Sequence, residues 1–414
     1  MTPEGTIECT FLTFKHYKIM KTFQHFCLFL LLMFISDQAF CQSVSYSVRP
    51  GTSEWESFGS YDEMVKACNI PAEQIALLST EDLLSLCLMH PLRINIFLYS
   101  SPQESLERMI STFNVFSEFM KRTDAKESLG REIKKTTGES AVLSDPVKRT
   151  ILGALSFRIN EATEKRAQNS YVVRTPNGSI VGDTGVNPEQ RTSAEIQQIT
   201  AEFAAAYPKA TVISPATSTY NCHAYAWHMS EGGAAVWMGF TTNPTSIYWT
   251  DGSYNSTSCR GKGLKVSYEN DNHSAITTDI AGIFISKWGT GPLMKHSMDY
   301  CPYNSSALKY YIRNLPSQDY ITGVYIQNTV SNKLNTVNMV RGNSPITIKV
   351  DYPNAYKIEW QLVSGQPNVA FGAESNDGKT AGLSLNGSNS ASLKAIAHTP
   401  CGKIETAFYF VRTY

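Results

Sequence analysis

The chain has 414 residues and carries 36 Lys plus Arg against 36 Asp plus Glu, a formal net charge of zero at neutral pH. That balance argues against nucleic acid or an anionic membrane as the main partner. With 42% hydrophobic residues and 17% charged ones, the composition suits a globular chain of two or three domains.

Met1 to Lys18 carries no periodicity, but Met20-Lys21-Thr22 followed by the apolar run Phe26 to Ile35 reads as a secretory signal. Ala39-Phe40-Cys41 precedes Gln42 as a small-residue cleavage site, which places the signal peptide at 20–41 and the protein outside the cell or in the cell envelope. A lipid-modified Cys41 is the alternative reading. The apolar run is too short to span a bilayer comfortably, so no transmembrane span is expected in the mature chain. Removing 1–41 leaves 33 basic and 33 acidic residues and six cysteines: Cys68, Cys87, Cys222, Cys259, Cys301 and Cys401. Their wide, irregular spacing contains no CxxC pair, so the fold is not expected to depend on a disulfide framework.

Residues 45–140 read as a helical domain. Ser60 to Cys68 and Ser79 to Leu88 each open on a capping residue and stop before a proline, and Pro102 to Met120 spaces Leu106, Met109, Ile110, Phe113, Phe116 and Phe119 as one helix. From 141 to 219 the pattern is mixed. Tyr171 to Arg174 and Ser179 to Val181 flank Thr175-Pro176-Asn177-Gly178 as a hairpin, Ser193 to Tyr207 is an amphipathic helix, and Ala210 to Ser214 is extended.

The stretch that carries chemistry is Tyr220-Asn221-Cys222-His223-Ala224-Tyr225-Ala226-Trp227-His228. Asn221 is a good N-cap and Gly232-Gly233 a good stop, so Cys222 falls at the first position of a helix, where the dipole favours thiolate. About fifty residues later His273 opens an apolar strand and can be held toward that helix end. A thiol nucleophile with an imidazole base is what a cysteine hydrolase needs. The histidine also needs an orienting partner. If 273–276 and 283–287 form a hairpin, an even loop sets Ser286 opposite His273 and a one-residue bulge sets Lys287 there; His296 is the third candidate. Lys287 is a donor only. Trp237, Tyr248, Trp249 and Tyr254 either line a substrate cleft or anchor long loops, and Trp288 joins Asn221, His223, Trp237, Trp249 and Tyr254 as a candidate substrate-binding residue. Asn221 could also lend its amide to an oxyanion hole with the Cys222 N–H. His223 and His228 are the metal-ligand candidates, but no HExxH or close Cys and His pairing accompanies them, so no metal or cofactor is expected.

The segments "YNCHAYAWH", "NHSAI", "ISKWGTGPLMKH" and "CPY" resemble a bacterial family of exported proteins distantly similar to papain-like amidases of the NlpC and CHAP type. "TEDLLSLCLMHPL" and "FMKRTDA" resemble a helical region that accompanies such a stretch and implies no activity of its own. The resemblance covers about 215 to 305. It implies that Cys222 attacks an amide carbonyl, that His273 is the base, and that Ser286, Lys287 or His296 takes the third role, where the family usually has His, Asn or Gln. In related enzymes the substrate is often a peptidoglycan stem peptide.

From 320 to 414 the runs 320–327, 346–350, 357–362, 382–385, 391–397 and 405–411 are short strands between Gly, Asn, Ser and Pro turns, the spacing of a small β-sandwich. "YKIEWQLVSG" and "SASLKAIAHTPCGKIETAFYFV" resemble immunoglobulin-like modules at the C-termini of exported bacterial proteins, with Trp360 as the core tryptophan; Cys401 looks unpaired within the module. The expected fold is therefore multidomain α+β: an N-terminal helical bundle, a papain-like α+β domain over 150–315, and a C-terminal immunoglobulin-like β-sandwich. The expected function is hydrolysis of amide bonds in a peptide or peptidoglycan-type substrate. The alternative is a catalytically inactive secreted or surface binding module.

Overall fold

The computed structural model describes residues 45–138, 145–160, 169–268, 271–315, 324–326, 337–341, 346–350, 352–364, 369–385 and 390–413. The signal peptide expected at 20–41, with Cys41, lies outside these residues. Contacts divide the chain into Met1–Ser47 and Val48–Tyr414, and the helices and strands described here all belong to the second unit. Helices and sheets both contribute, giving a mixed α+β architecture.

The first part is helical for local reasons. Ser60, Ser79 and Ser101 accept from the backbone N–H of Glu63, Asp82 and Glu104 and start the helices Tyr61–Cys68, Thr80–Leu88 and Pro102–Thr112. The single helix expected over 102–120 is two, because Phe113 leaves helical geometry (φ −115°, ψ 122°) and Asn114–Lys121 begins afresh. The break is fixed by Asn114, whose Nδ2 donates to Ile70 O at 2.6 Å while its Oδ1 accepts from Ile70 N at 3.4 Å. Phe113 thereby packs 4.2 Å from the His90 ring. A further helix, Pro146–Ile159, starts on Asp145 and a proline at its first position, in a stretch the periodicity left mixed.

These helices are fastened to the middle part of the chain. Trp55 Nε1 donates to Ala206 O, Thr290 N to Phe97 O, and Tyr303 Oη to Leu98 O, at 2.9, 2.9 and 2.6 Å. The Arg93 guanidinium joins Glu202 and Asp145 at 2.7 and 2.9 Å.

The middle part has the expected hairpin, Val173–Arg174 with Ile180–Val181, turned through Gly178 at φ +92°. The helix Ser193–Ala206 carries a reciprocal cap between Thr192 and Glu195. Its centre is a seven-stranded antiparallel sheet in the spatial order 211–214, 293–297, 283–287, 274–277, 265–267, 309–313, 254–256. The helix Cys222–Trp227 packs on the middle of this sheet, against the strand Ser274–Thr277.

The last part is two four-stranded sheets facing across one core that includes Ile348, Val350, Ile358, Trp360, Leu383 and Leu393. Trp360 Nε1 donates to Gly378 O at 2.9 Å. Two strands escaped the sequence pattern: Val369–Glu374, weakened by an internal glycine, and Val337–Arg341, which pairs parallel to Gly402–Thr413. Cys401, at the tip of the last hairpin, forms a disulfide with Cys259 in the middle part, 142 residues earlier. Cys68, Cys87, Cys222 and Cys301 are free and buried.

Among the described residues, no helix is long and apolar enough to cross a membrane.

Candidate active site

Asn221 caps the Cys222–Trp227 helix as expected: its Oδ1 accepts from Ala224 N at 3.1 Å, and its Nδ2 donates to Met238 O at 2.6 Å. The amide nitrogen is thus tied to the cleft wall rather than held for an oxyanion. The α-helix itself is six residues long and capped at His228, and a 3-10 turn, Met229–Glu231, carries the chain to the expected stop at Gly232, at φ +90°. A macrodipole is correspondingly small. The backbone N–H of Ser274, of His223 and of Cys222 itself all lower the thiol pKa, as does the nearby Lys287 ammonium, while burial is the larger influence and pushes it up to about 11.

Cys222 lines a cleft of about 270 Å³. Asn221, His223, Trp237, Gly239 to Asn243, Asp271, Asn272 and Gly289 line it too, and Leu98, Tyr99, Ser100 and Glu104 arrive from the helical part. That wall was not foreseen, because no motif marks those four residues. The signal that bears on it is Gly289, at φ +53°, where a Cβ would stand 2.3 Å from the Leu98 carbonyl. Trp237 is buried, and its Nε1 has no hydrogen-bond partner among the described residues. His223 sits beneath the cleft with Nδ1 2.9 Å from Ser274 Oγ. Ser274 Oγ also accepts from Trp227 Nε1 at 3.0 Å, so one hydroxyl anchors both rings. Burial holds the His223 pKa down at about 4.

His273 is fully buried one residue before the strand Ser274–Thr277. Its ring stacks on Tyr303 with centroids 3.6 Å apart and planes within 7°, and meets the Tyr268 ring edge-on at 4.9 Å. Neither ring nitrogen has a hydrogen-bond partner among the described residues, so the expected hydrogen bond to Cys222 is not made. The aromatic clamp holds the ring in place of a polar orienter. Burial first, then His296 and His223, keep its pKa well below the usual histidine range, so the imidazole is neutral.

The hairpin register corrects the expected third residue. Phe284 pairs with Thr277 and Ile285 with Ile276. Carried on, that register sets Ser286 beside Ala275 and Lys287 beside Ser274, so neither stands opposite His273. The alternation of a strand then sends the two side chains to opposite faces. Ser286 Oγ accepts from Trp288 Nε1 at 3.1 Å and lies 2.7 Å from His296 Nε2, to which it donates; His296 Nδ1 in turn donates to Ser297 O at 2.8 Å. His296 is therefore a satisfied, neutral ring, with a pKa lowered to about 4 by burial. Lys287, on the other face, spends its three donors on Thr217 O, Gly289 O and Gly291 O at 2.9, 2.7 and 2.5 Å.

The aromatic candidates divide. Trp237 lines the cleft with Cys222, whereas Trp249 stacks on Tyr311 at 4.7 Å, and Tyr248 and Tyr254 are core residues around Trp227. Trp288 is fully buried between Phe203, Tyr207 and His296. These are anchors, placed by the apolar demand of the core. No group of three or more His, Cys, Asp or Glu residues that could hold a metal ion occurs among the described residues.

No family model matches the chain, and no curated protein does. Solved structures similar to part of it include the titin M3 domain, 10% identical with a TM-score of 0.16, covering 23% of this chain and 99% of that one. A chimeric titin Z1Z2 tandem is 13% identical with a TM-score of 0.15, covering 39% of this chain and 92% of that one.

Proposed function

We propose that this chain is an exported protein whose middle part, papain-like in its order of a cysteine helix followed by antiparallel strands, hydrolyses amide bonds through Cys222. The helices before it and an immunoglobulin-like sandwich after it complete the layout. The observation that carries this reading is the place of Cys222, at the first residue of a helix that packs on the strand Ser274–Thr277, lining a cleft. The Cys259–Cys401 disulfide supports export, since such bonds persist in oxidising compartments.

In this reading the sulfur attacks the amide carbonyl carbon as its proton passes to a nitrogen of His273, which no other described group occupies. That transfer requires the ring to leave its stack on Tyr303, since neither nitrogen bonds the sulfur in this structure. His273 then returns the proton to the leaving amine as the C–N bond breaks. Water, deprotonated by His273, clears the thioester to a carboxylate and restores the thiol. Peptides, including peptidoglycan stem peptides, are the substrate class.

A second reading has one observation in its favour: the Cys222–His273 hydrogen bond is unmade and the thiol sits at about 11, as in a shell that binds without cleaving. Digestion of purified cell wall and of peptide libraries with the full chain, followed by mass spectrometry, separates the two. New amine and carboxylate ends that vanish in Cys222→Ala support the hydrolase. Retained binding with no cleavage by the wild type overturns it in favour of the binder.

A further inference from the structure

The carbonyl cage around Lys287 does more than satisfy a buried amine. Thr217 leads into the cysteine helix and Gly289 lines the cleft, so one ammonium ties the lead-in of the helix to a residue of the cleft. The Nζ stands 5.1 Å from the centre of the Tyr220 ring, two residues before the sulfur. Carrying the sheet register on sets the lysine beside Ser274, on the strand against which the cysteine helix packs. Three carbonyl oxygens within 2.9 Å, with no donor among them, fit an ammonium; a neutral amine would turn its lone pair on one of them.

We propose that Lys287 is the positioning residue of this site: its ammonium clamps the Thr217 lead-in to the Gly289–Gly291 loop and supplies the fixed positive charge beside Cys222, in place of a partner for His273. The inference rests on Cys222 being the reacting group, and not on what it cleaves. The other titratable groups facing the pair include Glu189 and Arg191 from the preceding loop, Tyr220 beside the lysine, Tyr99 and Glu104 from the helical part, Asp271 lining the cleft, Tyr303 from the loop between the strands 293–297 and 309–313, and His223 on the cysteine helix itself. Burial first, and then the Arg191 charge, push the Lys287 pKa well below the usual lysine range, while Cys222 and Glu189 raise it; the three carbonyl acceptors are what keep the amine protonated against that burial.

The test is the rate of iodoacetamide labelling at Cys222 in the full chain from pH 8 to 10, on the rising limb below a thiol near 11, read by mass spectrometry. In Lys287→Met the labelling curve moves to higher pH by about one unit, a tenfold slower reaction at pH 8. In Gly289→Ala, which displaces the loop and keeps the charge, labelling at each pH keeps the wild-type rate, and a tenfold slowing there would overturn the assignment of the effect to the lysine charge. A folded Lys287→Met that labels on the wild-type curve overturns the proposal, whether or not the protein proves to be a hydrolase. If Lys287→Met gives no cooperative melt, Lys287→Arg decides: the wild-type labelling rate supports the proposal, and a tenfold slower rate at the same pH overturns it.

Discussion

Two buried histidines on the same stretch of sheet are treated in opposite ways. His296 has a partner on each nitrogen, Ser286 on one side and the Ser297 carbonyl on the other, and it is framed by Trp288 and Phe284. His273 has no partner on either nitrogen among the described residues and is held by ring contacts alone. Buried polar groups are ordinarily satisfied, because each one left open costs about 1–3 kcal/mol. The contrast teaches that His296 belongs to the frame, whereas His273 keeps a proton-accepting nitrogen free at a cost in stability.

The largest effect expected from that contrast is on turnover. His273→Ala and Cys222→Ala lower hydrolysis by about a thousandfold or more, roughly 4 kcal/mol of barrier, whereas His296→Leu lowers it less than about tenfold. Amine release from a cleaved peptide measures this, and equal losses at the two histidines would erase the distinction.

Acid stability comes next. His223 and His296 near 4, His90 near 3 and His273 well below its usual value all stay neutral when folded, while the unfolded chain takes up their protons near pH 6.5. A depressed base contributes stability that is complete above the unfolded pKa and is lost as pH falls toward the folded one. Denaturant melts should therefore weaken below about pH 6 by about 1.4 kcal/mol per pH unit for each such histidine. A flat profile between pH 6 and 4 would contradict their burial as neutral rings.

Smaller, and more telling, is a difference in sign. His296→Leu should destabilise the fold by about 2–3 kcal/mol at pH 8, since Ser286 loses its acceptor and the Ser297 carbonyl its donor. His273→Leu should be neutral or stabilising by about 1 kcal/mol, because the two open nitrogens leave with it. Chemical denaturation of both variants checks the pair.

Much of this frame was legible in the sequence, where signals are local. Ser60, Ser79 and Thr192 cap helices because a short hydroxyl three residues before an acidic group satisfies the same N–H wherever it occurs. Asn221 and Cys222 fell where expected for that reason. Alternation gave most strands of the sandwich. What was illegible depends on partners distant in the chain. The break at Phe113 needs Asn114 to find Ile70, the hairpin register is settled by the sheet as a whole, and the pairing of Cys401 with Cys259 crosses 142 residues. The cleft wall from Leu98 to Glu104 is of the same kind, since nothing in those residues names the glycine they pack against.

The smallest predicted effect probes how His296 is held. Ser286→Ala removes the hydroxyl that accepts from Trp288 and donates to His296 Nε2, at a cost of about 1 kcal/mol at pH 8 as the small side chain leaves room for the two rings to relax. The hydroxyl proton favours the neutral imidazole, so its loss raises the folded pKa of His296 toward that of the unfolded chain. The variant then has less stability to lose in acid than the wild type. Its deficit should narrow as pH falls from 6.5 toward 4, and a deficit that widens instead would mean that Ser286 holds a charged ring, placing His296 beside His273 as a proton carrier rather than in the frame.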